Sequence, residues 1–205
     1  MRWRIRMLSE QEIGEIFRQT GVWQEGHFLL TSGRHSGNYL QCARVLQYPQ
    51  YNEALCQELA RRFSGEKIEV VVAPAIGGIL IAYEVARLLK AKMLFTERED
   101  EVMTLRRGFS LEPGSKVLVV EDVITTGGSV HEVIALVERL GGKICGTGVF
   151  VDRSGGKVKF PPRTEALLSL EVLSYLPADC PLCEAGLPIE KPGSRRSQLS
   201  LDPSK

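Results

Sequence analysis

The chain has 205 residues, enough for one domain of moderate size or for one domain with a small appendage. With 43% apolar residues, 25% charged residues and a formal net charge of +1, it reads as a soluble globular protein, lacks the basic excess of many nucleic-acid binders and points towards small ligands. Five cysteines, an odd number, argue against a secreted disulfide framework and for a reducing compartment.

The basic start MRWRIRM is followed by no apolar core segment, so no signal peptide is expected and the protein is expected to be cytoplasmic. The uncharged run Val70 to Tyr83 is broken by Pro74, Gly77 and Gly78 and falls short of the ~20 residues of a membrane span. Ser9 and Glu12 form an S-x-x-E capping box ahead of Ile13, Ile16 and Phe17, predicting a helix from Ser9 to Gln19. His27 to Thr31 and Asn38 to Ala43 then read as two short strands around a polar Ser32 to Ser36 turn, on its residues alone most simply an exposed hairpin. Pro49 opens a helix with Leu55, Leu59 and Phe63 on one face, closed by Ser64-Gly65.

Ile68 to Ala73 is the first strand of the main sheet, and the PAIGG turn leads into a helix marked by Ile79, Ala82, Val85, Ala86 and Leu89. Gly77 and Gly78 suit either the close approach of backbone amides to an anion or the packing of a helix on a sheet. Met93 to Thr96 is a further strand. Glu97 to Pro113 reads as a long mobile loop whose Arg98, Arg106 and Arg107 either neutralise a polyphosphate or pair with the surrounding acids. Further on, Val130, Val133, Ile134, Val137 and Leu140 mark a helix ended by Gly141-Gly142, with His131 in a surface or packing role. Lys143 to Val151 is a strand ending in Asp152-Arg153, where the arginine either points into a ligand crevice or pairs locally. Leu167 to Leu173 supplies the last strand. Cys180 and Cys183 form a lone C-x-x-C, a weak metal signal because a structural zinc needs four ligands and no second pair or neighbouring histidine is evident; the spacing leaves metal binding open. Beyond Ser194 the chain is polar and expected to be disordered.

The centre of the sequence is Val117 to Ser129, VLVVEDVITTGGS. Four apolar residues before an acidic pair predict a buried parallel strand, and TTGGS predicts a tight turn opening a helix. Thr125, Thr126, Gly127, Gly128 and Ser129 then offer hydroxyls and backbone N–H groups at a helix N-terminus, where a phosphate is favoured. Glu121 and Asp122 suit a sugar's hydroxyls or a cation, so the implied ligand is a phosphorylated sugar.

This order of residues resembles the 5-phosphoribosyl-1-pyrophosphate (PRPP) signature of the type I phosphoribosyltransferases. Phe28, Leu30, Ser32, Gly33, Ser36 and Tyr39 are similar to the hood segment of the orotate phosphoribosyltransferases, Asp152-Arg153 to their orotate-contacting strand end, and the cysteine-bearing string to the carboxyl-terminal segment of one branch. Thr31 stands where some relatives carry lysine, and Ile76-Gly77 where some carry Tyr-Lys. The resemblance implies transfer of the phosphoribosyl group from PRPP to orotate, with Mg²⁺ held mainly through PRPP and no direct protein ligand to it. It implies catalytic roles for Glu121, Asp122 and Arg98. PRPP would meet these residues together with Val123, Ile124, Thr125 to Ser129, Gly77 and Gly78; orotate would meet Thr125, Arg153, Ser32 and Tyr39. A homodimer is implied, with the lid acting across the interface, although this loop has neither the lysines nor the histidine of the family's lid.

The expected architecture is an α/β fold, a mostly parallel sheet flanked by helices with an amino-terminal hood. Residues 1–48 would form the first helix and hood, 49–177 the PRPP-binding core, and 178–205 a carboxyl-terminal segment. A purine-type phosphoribosyltransferase would share the central motif, and a PRPP-sensing regulator that binds nucleic acid would need a basic patch or an added DNA-binding motif, neither of which is visible.

Overall fold

A computed structural model of the chain describes residues 7–30 and 32–192, so Thr31 and the tail beyond Ser194 lie outside the described residues. The first helix, α1 (Glu10–Gln19), begins where the Ser9 hydroxyl accepts from the Glu12 N–H and the Glu12 carboxylate accepts from the Ser9 N–H, the reciprocal box expected. A two-stranded hood follows, β1 (Trp23–Leu29) antiparallel to β2 (His35–Leu40). Both strands start several residues earlier than their apolar residues suggest. Their polar stretches hold because a distant segment adds hydrogen bonds: Leu29 N–H donates to Glu190 O at 2.8 Å and His35 N–H to Tyr175 O at 2.9 Å. Ala43, expected in a strand, lies in a 3₁₀ turn, Cys42–Gln47.

The core alternates strand and helix: α2 (Pro49–Arg62), β3 (Val70–Pro74), α3 (Gly78–Leu89), β4 (Lys92–Glu99), β5 (Val102–Leu105), β6 (Lys116–Ile124), α4 (Gly128–Arg139), β7 (Lys143–Asp152) and β8 (Thr164–Ser169). The six strands lie in the order β5-β4-β3-β6-β7-β8, all neighbours parallel except β4 and β5. Because side chains alternate across a strand, Val71, Ala73, Leu118 and Val120 face α1, α2 and α3, whereas Val70, Val72, Val117 and Val119 face α4. Burial on both faces explains the continuous apolar runs. Among the described residues, no helix is long and apolar enough to cross a membrane.

The segment read as a long mobile loop is largely a β-hairpin. Arg98 pairs in register with Met103 and Glu99 with Val102, joined by Asp100 (φ 48°) and Glu101 (φ 64°) in the left-handed region that a tight hairpin turn requires. With acidic residues in place of Asn-Gly, the turn leaves no ordinary sequence signal. Arg106 meets Glu99 at 3.2 Å and Arg107 meets Glu97 at 2.7 Å, so local pairing accounts for both. The last strand ends at Ser169, short of the expected Leu173; beyond it Leu170 N–H donates to Asp152 O at 2.8 Å, and the chain turns back under the hood. A short turn at Pro177–Asp179 and the single-turn helix α5 (Pro181–Glu184) complete it.

Candidate active site

The sheet order sets the position of the site. From β3 the chain crosses to β4 on one side, and β6 then returns to the other side of β3, so the carboxyl ends of β3 and β6 diverge into a crevice where such sheets take ligands. PAIGG leaves the end of β3, and the acidic pair with TTGGS leaves the end of β6. Gly127 is left-handed (φ 76°), and its carbonyl accepts the first helical bond from His131 N–H at 2.9 Å. The preceding N–H groups have no intrahelical acceptor and face the cavity as an anion cradle. Val123 to Ser129, Glu121 and Arg98 line this cavity of about 290 Å³.

The acids are held at an energetic cost. Glu121 is 8% exposed, and burial first, then the Asp122 carboxylate, push its acid up to about 9. Burial also raises Asp122. Their hydrogen bonds are local: Asp122 N–H donates to Glu121 Oε1 at 3.0 Å and Val123 N–H to Asp122 Oδ1 at 2.8 Å. Near neutral pH the pair therefore keeps a proton, and an arriving cation or set of hydroxyl donors would meet its charge.

The glycines of PAIGG differ in role. A Cβ at Gly77 would lie 2.7 Å from Asp122 Oδ2, so the missing side chain makes room for that carboxylate. A Cβ at Gly78 would lie 2.7 Å from Ala73 Cβ and 3.3 Å from Val120 O, which is close packing of α3 on the sheet. At Gly127 a Cβ would run into Phe160 (2.6 Å) and Val158 (2.9 Å), so the constraint comes from the core beneath the cradle as well as from backbone conformation.

Arg98 sits at the cradle of its own chain, its guanidinium on Glu132 at 2.7 Å and on Glu101 O at 2.9 Å. Both partners are exposed, so this ion pair contributes about 1 kcal/mol or less and yields readily to a phosphate. Glu132, at the start of the second turn of α4, escaped sequence reading because one acid near a helix start is ordinary. Arg153 N–H donates to Ile124 O at 2.8 Å, joining it to the end of β6, while its buried Nε has no hydrogen-bond partner among the described residues. The local ion pair with Asp152 does not form: that carboxylate accepts from Ser154 N–H at 2.7 Å and Gly156 N–H at 2.8 Å. Cys42, behind the hood, is buried near the acids, its thiol pushed up by burial first and then by Asp122, with Arg153 opposing. Ser32 and Tyr39 stay on the hood and do not line the cavity; Ser32 is exposed and Tyr39 Oη donates to Gln41 Oε1 at 3.0 Å.

A crevice at a topological switch point, with a helix-start anion cradle beside buried acids, defines a phosphoribosyltransferase. The phosphoribosyl transferase domain family matches residues 47–160, and the chain belongs to that family. More narrowly, it belongs with the orotate phosphoribosyltransferases. The protein of that name from Pelotomaculum thermopropionicum is 61% identical over 189 residues, covering 92% of this chain and 100% of its own length. That from Desulforamulus reducens is 60% identical over 189 residues, covering 92% and 99%. The fold matches the crystal structure of orotate phosphoribosyltransferase from Aeropyrum pernix with a TM-score of 0.65 at 23% identity, covering 78% of this chain and 94% of that one.

Proposed function

We propose that this chain transfers the 5-phosphoribosyl group of PRPP to orotate, giving orotidine 5′-monophosphate and pyrophosphate. The observation that carries the reading is the buried Glu121 with the half-buried Asp122 beside the cradle, two acids that face no basic side chain within ion-pair distance among the described residues. Thr125 to Ser129 bind the 5′-phosphate and fix the ribose, while Glu121 and Asp122 hold its hydroxyls. As the bond to pyrophosphate breaks, the anomeric carbon becomes positive and the pair's negative potential lowers the barrier. Arg98 exchanges Glu132 for a phosphate oxygen. Arg153 offers its unpartnered Nε to the orotate carboxylate, and Ser32, Tyr39 and Thr125 complete the base pocket when the hood and crevice close on substrate.

Mg²⁺ fits this site because the oxygen donors of a ribose diol and a pyrophosphate are of the kind it takes, and Glu121 and Asp122 form an acidic wall that favours a cation. Glu121 and Asp122 would hold it through the ribose hydroxyls, and it would supply positive charge for the departing pyrophosphate. The same reading makes the chain a cytoplasmic homodimer. Ile76 in the PAIGG turn and Leu80 and Tyr83 on the first turns of α3, exposed at 84%, 50% and 62%, are apolar surface that supports self-association. Arg98 faces its own cavity, so the part of the lid that reaches the neighbour's site is the segment after β5. An absorbance assay of orotate consumption with PRPP and Mg²⁺, run beside adenine, hypoxanthine and xanthine, tests the reading; turnover of a purine with none of orotate would overturn it.

A further inference from the structure

The histidines missing from the sequence neighbourhood of the C-x-x-C are supplied by the hood. His27 on β1 and His35 on β2 meet Cys180 and Cys183 from the segment that turns back under the hood, and the four ligand atoms all lie within 4.8 Å of one another. His27 Nε2 is 3.1 Å from His35 Nδ1, 3.6 Å from Cys180 Sγ and 3.7 Å from Cys183 Sγ, and Cys183 Sγ is 3.2 Å from His35 Nδ1. A tetrahedral zinc with Zn–S about 2.3 Å and Zn–N about 2.0–2.1 Å spaces neighbouring ligand atoms roughly 3.3–3.8 Å apart. Opening the two shortest separations slightly and closing the widest by up to about 1 Å would bring these four to that geometry.

The hydrogen-bond geometry favours a metal over a closed hydrogen-bond cluster. Leu187 O accepts from His27 Nδ1 at 2.9 Å, and a carbonyl can only accept, so in the neutral tautomer that fits this bond Nε2 is the ring's ligand atom. Three polar atoms crowd onto that single nitrogen, whereas one cation at their centre would serve all four groups. An imidazole oriented by a carbonyl on its far nitrogen is the usual support for a zinc ligand. Two thiolates also balance the charge of a divalent ion, which suits a place where His27, His35 and Cys180 are 3%, 5% and 1% exposed.

We infer that His27, His35, Cys180 and Cys183 form a structural zinc site that staples the hood to the carboxyl-terminal segment. Four protein ligands leave no open position, so the metal is structural and not catalytic. Two nitrogens and two sulfurs in a tetrahedron select zinc over magnesium or calcium, which separates this site from the cation that accompanies PRPP. The ligands come from segments about 150 residues apart in the chain, and a two-stranded hairpin is marginal alone, so a cross-link here would act on the least self-sufficient part of the fold.

The test uses the full chain without a histidine tag, expressed with zinc supplied and purified without chelator. Elemental analysis should give about one zinc per chain, and Cys183→Ser, which alters the exposed ligand, should lose it while far-ultraviolet circular dichroism stays unchanged. Replacing zinc by Co²⁺ should produce the visible bands of a tetrahedral thiolate site, absent from both Cys183→Ser and His35→Gln. Zinc far below one equivalent in the wild-type chain, or zinc retained equally by Cys183→Ser, would overturn the assignment, as would a Cys180–Cys183 disulfide in the protein as isolated.

Discussion

Replacing Glu121 by glutamine should make the protein more stable and nearly inactive, with the stability gain confined to a defined pH range. The folded acid is raised to about 9 against an ordinary value of 4.5, so the folded state binds its proton more tightly than the unfolded state. Stability from this group is complete below the unfolded value and is lost as pH rises towards the folded one, at up to about 1.4 kcal/mol per pH unit. At about pH 8 the upper bound is 4–5 kcal/mol, and sharing the charge with Asp122 brings the expected loss to roughly 2–3 kcal/mol. Glutamine stays neutral throughout, keeps the acceptor for Asp122 N–H and adds a donor towards the Asp122 carboxylate. Paired melting curves should coincide near pH 5 and separate by about 5–10 °C near pH 8, with Glu121→Gln higher. Turnover with PRPP and orotate should fall about a hundredfold, the scale of losing one electrostatic contact to a transition state. A melting-temperature difference that does not change between the two pH values would refute the buried-acid reasoning, and undiminished turnover would refute the catalytic role.

Arg153→Ala should lower kcat/KM for orotate by about ten- to a hundredfold, as expected for a lost charge-assisted hydrogen bond, with little change in the PRPP constant; equal losses for both substrates would assign the arginine to structure. Gly77→Ala should displace the Asp122 carboxylate and lower kcat/KM for PRPP about tenfold with a small stability change, whereas Gly78→Ala should cost about 1–3 kcal/mol in denaturant titration by overpacking Ala73; the reverse pattern would exchange their roles. Hybrid dimers of Arg98→Ala with Asp122→Asn should recover no activity, because Arg98 and the cradle of the same chain line one cavity, and recovery in verified heterodimers would place Arg98 in the neighbour's site.

What was legible in the sequence was whatever is coded locally. The Ser9–Glu12 box, Pro49 at the start of α2, Gly141-Gly142 after α4 and the Val117–Val120 run each carry their own signal, and each element formed where expected. The misses depended on distant partners. β1 and β2 keep polar residues because Tyr175 and Glu190 supply hydrogen bonds from far along the chain, and the hairpin over 97–105 turns at Asp100-Glu101 without glycine. The C-x-x-C looked solitary because its companions lie about 150 residues earlier, as single histidines eight residues apart. At the candidate site, the sequence singled out Glu121, Asp122 and TTGGS, and the fold brings them to one crevice; that Gly127 is held by Phe160 and Val158 emerges only from packing. Gly127→Val would therefore disturb the core beneath the cradle and is a poor probe of phosphate binding alone.

The site holds two unmet demands of opposite sign without letting them cancel. Glu121 and Asp122 need positive charge or hydroxyl donors, and the buried Arg153 Nε needs an acceptor, yet no ion pair joins them among the described residues. The β6–β7 register keeps them apart: Ile124 lies opposite Asp152, Arg153 N–H is tied to Ile124 O, and the acids are anchored by N–H groups of their own turn. A salt bridge between them would relieve both and leave nothing for a substrate. Held apart, they match a reaction that brings together a sugar becoming cationic and a base bearing a carboxylate, so the energy left unrecovered in folding becomes available on binding.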